Sequence, residues 1–95
     1  MCKAIVDTMM QAVTVQLRDN QRDDLRHFCA WLYERYSEKA IDIWKKSAMI
    51  RMVNNNDSNA VSTEFLRWVY TDDRIDSVLV MRRIKERMLW EGRTE

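Results

Sequence analysis

Nucleophilic catalysis needs a base beside a nucleophile, and this chain offers one histidine, His27, and two thiols, Cys2 and Cys29. His27 and Cys29 are two positions apart in a segment of helical period, which turns them about 200° from each other and prevents pairing. Burial habits make Cys29 a core thiol and His27 a solvated helix residue. One histidine and two cysteines do not build a thiolate-rich zinc site, and one glycine does not build a phosphate-cradling loop. The adjacent acids Asp23-Asp24 and Asp72-Asp73 come closest to an acid–base pair. Both sit where helix starts favour negative charge, so capping accounts for them. No catalytic residue, metal ligand set, cofactor or small-molecule substrate is expected, and the chain reads as a non-enzyme.

Charge is the next chemistry on offer. Arg82, Arg83, Lys85 and Arg87 could lay cations along phosphates, and Lys45, Lys46 and Arg51 would extend the patch if their helices were neighbours. Glu86 and Glu91 interrupt the run, Arg82 and Arg83 point about 100° apart, and a basic last turn already suits the helix dipole. No aromatic-interleaved motif supports base readout. RNA or DNA binding through these residues is therefore the alternative reading.

Apolar patterning carries the leading one. Around the axis of the last helix, Ile75, Val78, Leu79, Leu89 and Trp90 face one way, while Val80, Met81, Ile84 and Met88 face nearly the other. A helix apolar on two sides is covered on both. Seven methionines suit adaptable partner surfaces, and Trp31, off its own helix's apolar stripe, suits an exposed interface anchor. These features predict a non-enzymatic protein–protein interaction or regulatory module. It would pair with a second copy of itself through Val80, Met81, Ile84, Met88 and Trp31.

The elements that would position these residues are helical. With one Gly and no Pro in 95 residues, there is little material for tight hairpins. Apolar residues recur at helical spacing over residues 3–18, 21–36, 37–53, 60–70 and 73–91. Asn20 with Asp23 is placed to cap the second helix, Ser37 the third and Thr71-Asp72-Asp73 the last, and Gly92 is a plausible terminator. Residues 54–59 form a polar loop. The expectation is an all-α bundle of about five helices, one domain over residues 1–95. Its core would hold Ile5, Met9, Val13, Leu25, Phe28, Leu32, Ile41, Trp44, Phe65, Val69, Ile75 and Leu79.

Composition adds exclusions. A net charge of +1 gives no global pull toward nucleic acid or membrane, and no membrane partner is expected. The first residues reach Asp7 before a signal-peptide core could form, and cysteine usage suggests no disulfide framework. The expectation is a soluble chain in a reducing compartment, cytoplasmic or nuclear, of the kind that viral and phage accessory regulators often are.

Overall fold

A computed structural model describes residues 2–93. The side chain of Cys2, one of the two thiols considered above, lies outside the described residues. The fold is all-α, as the periodicity predicts. Helix α1 spans Cys2–Met10 and α2 spans Asp19–Tyr36. After a 3-10 turn at Ser37–Lys39 come α3 at Ala40–Lys46, α4 at Ala48–Asn54 and α5 at Ser58–Glu64. A 3-10 turn at Phe65–Arg67 leads into a hairpin of β1 at Tyr70–Thr71 and β2 at Arg74–Ile75, followed by α6 at Ser77–Trp90.

Local chemistry explains several departures from the expected boundaries; the expected cap at Ser37 is not one of the caps present, since Ser37 opens a 3-10 turn and α3 starts without a side-chain cap. The first helix stops at Met10 and does not reach residue 18. Gln11, Ala12 and Val13 turn their N–H groups to carbonyls three residues back. The β-branched run beyond them is a weak helix former. Its backbone is satisfied from far away: the Thr14 N–H donates to Asn54 Oδ1 at 2.8 Å, and Asn54 Nδ2 donates to the Ala12 carbonyl at 2.9 Å. At the start of α2 the Arg18 N–H donates to Gln21 Oε1 at 3.2 Å. Asn20 does not cap this helix; its Nδ2 donates to the Leu89 carbonyl at 2.7 Å and ties down the end of α6.

The expected third helix is broken in two at Ser47, which is extended at φ −74° and ψ 153°. Its hydroxyl donates to the Trp44 carbonyl at 2.7 Å and accepts from the Ile50 N–H at 3.2 Å, so it caps a new helix inside one apolar period. The polar loop is shorter than expected because Asp57 accepts from the Ala60 N–H at 3.2 Å and starts α5 at Ser58.

Asp72 and Asp73 do not begin the last helix. They are the two central residues of the hairpin turn, with φ of 52° and 64°, the left-handed pair that a type I′ turn requires. Asp76 caps α6 in their place, its Oδ1 accepting from Val78 and Leu79 N–H groups. The same carboxylate accepts from the Thr71 hydroxyl at 3.1 Å, joining hairpin to helix. At the other end Gly92 is left-handed at φ 78°, and the Arg93 N–H reaches back to the Met88 carbonyl at 2.8 Å, the terminator the sequence predicts.

The central helix is α2, which packs against α1, α3 and α6. Phe28 is the hub of its core, with ring centroids 5.4 Å from Trp68, 5.7 Å from Phe65, 5.8 Å from Trp31 and 6.1 Å from Trp44. Met9, Leu25, Leu32, Val69 and Leu79 are buried around it as expected, and Ile5, Val13 and Ile41 are half-buried. Ile75 is the exception among the expected core residues, 65% exposed on the hairpin. The radius of gyration, 12.6 Å, is close to the roughly 12 Å that a folded chain of this length should have.

Candidate functional site

A helix stripe wider than the one read from the sequence puts an acid into the core. On α2, Asp24, Phe28 and Trp31 stand four and three residues apart on one flank of the apolar stripe, and α6 covers that flank. On α6, the buried positions are Leu79, Arg83, Glu86 and Trp90, again at helical spacing. The two faces meet at three ionisable side chains. Asp24 and Arg83 are fully buried and Glu86 nearly so.

Arg83 is held by two hydrogen-bonding partners and two aromatic rings. Its Nε donates to the Trp68 carbonyl at 2.9 Å, its Nη1 pairs with Glu86, and its guanidinium carbon lies 4.1 Å from the Trp31 ring centre and 4.9 Å from that of Phe28. Stacking on two rings while donating from two nitrogens of one plane is what a guanidinium permits and an ammonium does not. Asp24 is less well served. Neither of its oxygens, nor Nη2 of Arg83, nor the Trp68 indole N–H, has a hydrogen-bond partner within the protein.

Burial first, and the neighbouring Glu86 carboxylate second, push the Asp24 carboxyl up to about 8, against a smaller opposing pull from Arg83. The carboxyl therefore keeps its proton near neutrality. Glu86 pairs with the Arg83 guanidinium in the same buried cluster. A carboxyl held protonated is the state a general acid requires. Its oxygens are closed off from solvent, so a substrate oxygen does not reach them in this arrangement. Burial also raises the Cys29 thiol far above its ordinary value. Cys29 is thus a neutral core thiol, not a nucleophile.

The residues expected to form sites are distributed differently. Trp31 is not an exposed anchor: it is 8% exposed and lies beneath Arg83. Its position off the stripe is real, but α6 covers that side of α2. Val80, Met81, Ile84 and Met88 do share the outward side of α6, with Met81 and Ile84 exposed and the other two half-buried. The expected basic patch is divided. Arg83 is in the core, Arg82 pairs with Glu86 at 3.4 Å, and Arg87 pairs with Glu91 at 3.2 Å. Lys85 is exposed. Lys45, Lys46 and Arg51 are exposed on α3 and α4, but α3 packs against α1, α2 and α4 whereas α6 packs against α2 and α5. The two groups of cations thus belong to different parts of the molecule. The site that sequence reasoning missed is Asp24, taken for a capping acid; its place seven residues before Trp31 and four before Phe28 was the available signal.

The family model of the phage lysozymes matches residues 1–86. The chain belongs to the phage lysozyme family. This membership overturns three expectations at once. The phage lysozyme family is one of muramidase-type enzymes that hydrolyse cell walls, so the chain is not read as a non-enzymatic interaction or regulatory module, nor as a nucleic-acid binder. The family implies a peptidoglycan substrate, against the expected protein partner and homodimer and against the expectation of no small-molecule substrate. The reading failed because it weighed histidine and cysteine chemistry, whereas glycoside hydrolysis asks for carboxyl groups, which were assigned to caps. No curated protein matches the chain.

Proposed function

We propose that this phage lysozyme family member serves the hydrolysis of glycosidic bonds in the glycan strands of bacterial peptidoglycan. The observation that carries the reading is the family match over residues 1–86. Such hydrolysis needs one carboxyl that protonates the leaving oxygen and one carboxylate that acts as nucleophile or activates water. No metal or organic cofactor is required for either role. Asp24 is not placed to supply that acid in this arrangement, because its oxygens are closed off beneath α6. Direct proton transfer from it to a sugar would require α6 to move off α2.

Purified peptidoglycan incubated with the chain should gain new reducing ends, measured against glycan alone. Folded chain, verified by circular dichroism, that releases none from intact or from de-acetylated glycan would overturn the proposal.

A further inference from the structure

The last helix is turned inside out in its chemistry. Its buried side carries an arginine and a glutamate between Leu79 and Trp90, while its outward arc carries Val78, Met81 and Ile84 at 74%, 56% and 39% exposure. Val80 and Met88, half-buried, flank them and line a groove of about 480 Å³ with Leu66 and Val69. Between these apolar side chains stand Arg82, Lys85 and Arg87. Arg82 keeps 43% of its side chain exposed despite its contact with Glu86, and Lys85 makes no ion pair among the described residues. Among the described residues, no exposed carboxylate shares the arc. Glu86 is buried, Glu91 is engaged by Ser62, Arg87 and Arg93, and the exposed Asp72 and Asp73 belong to the hairpin tip ahead of the helix.

We propose that this outward arc of α6 docks on an anionic lipid surface, with Val78, Met81 and Ile84 entering the headgroup layer and Arg82 and Lys85 meeting lipid phosphates. Two features select this occupant. Apolar side chains need an apolar phase, which a glycan strand or a nucleic acid backbone does not supply, and the cations need negative charge. A second copy of the chain supplies the first but not the second, because Arg82 and Lys85 would meet their own counterparts. A lipid interface supplies both, and basic helices with exposed apolar residues lie in its plane. The described helices include none long and apolar enough to cross a membrane.

Co-sedimentation with vesicles tests this, using phosphatidylcholine alone and phosphatidylcholine with one-quarter phosphatidylglycerol. The chain should bind the anionic vesicles, not the neutral ones, and release as salt rises. Lys85→Glu should weaken binding at least fivefold, the change expected from one cation near such a surface. Met81→Asp should abolish it, and both variants should keep the wild-type circular dichroism because both positions are exposed. A Met81→Trp variant should show a blue-shifted emission with anionic vesicles. Equal binding to both vesicle types, binding unaffected by Met81→Asp, or equal capture by heparin would each overturn the proposal, as would no binding. The vesicles contain no glycan, so this outcome is read independently of hydrolysis.

Discussion

Asp24 holds a position that a capping acid does not, and its proton links the site to folding. Its carboxyl lies at about 8 in the folded chain against about 3.9 in an unfolded one. Between those values the native state holds a proton that the unfolded state has released. Stability therefore falls as pH rises from about 4 to about 8, and the contribution is flat outside that window. The direction is opposite to that of a salt-bridged acid. Over this range the loss is on the order of a few kcal/mol, a large share of what a small domain possesses. Asp24→Asn keeps the shape and removes the titration. The variant's melting temperature should change much less than wild type's between pH 5 and pH 8, and it should be the more stable of the two at pH 8. Parallel pH profiles would show that Asp24 is already ionised at neutrality. Arg83 must stay unchanged in this comparison, because removing it would leave the buried Glu86 with the half-exposed Arg82 alone as its ion-pair partner.

At the scale of elements, the hairpin turn holds two of the four non-glycine residues with positive φ among the described residues, the others being Ser37 and Asn56. Asp72 and Asp73 both adopt left-handed backbone conformations, which cost an L-residue roughly 1–2 kcal/mol each before local hydrogen bonding offsets part of it. Asp-Gly is the sequence a type I′ turn prefers. Asp73→Gly should relieve the strain and lose part of that gain to unfolded-chain entropy, a net stabilisation of about 0.5 kcal/mol. For a domain of this size that is a rise of roughly 2–4 °C in melting temperature. A fall would mean that the Asp73 side chain contributes more to the turn than its backbone costs. This hairpin also marks where reading along the chain stops working. The apolar period of α2 and the Gly92 terminator are local signals, and both were legible. The end of α1 depends on Asn54, some forty residues away, and no window along the chain contains both partners. Ser47 was visible as a serine, but its role as a cap depends on α4 turning off the axis of α3. Asp24 was assigned from its neighbours in sequence, when its neighbours across the α2–α6 contact determine what it does.

For the whole molecule, the question is what its outward apolar side chains do in solution. A helix with two apolar sides suggested a pair of chains joined at Ile84, but the covered and exposed sides were assigned without the arginines. Burying Arg83 under α2 leaves α6 with Arg82 and Lys85 among its exposed apolar residues. Closing that face on a two-fold copy would bring like charges together in a partly desolvated seam, a penalty that rises as water leaves. The apolar gain is limited as well, since Val80 and Met88 are already half-buried within one chain and have less area left to remove from water. The chain should therefore be a monomer at tens of micromolar by light scattering. Ile84→Glu should leave both mass and fold unchanged, because the side chain is 39% exposed and its partners lie in its own chain. Phe65→Ala, by contrast, opens the aromatic core and should cost about 3–5 kcal/mol. A wild-type dimer that Ile84→Glu dissociates would show that the apolar area outweighs the charge on α6. The charge argument for an anionic surface would then fail with it, since both rest on the same two cations.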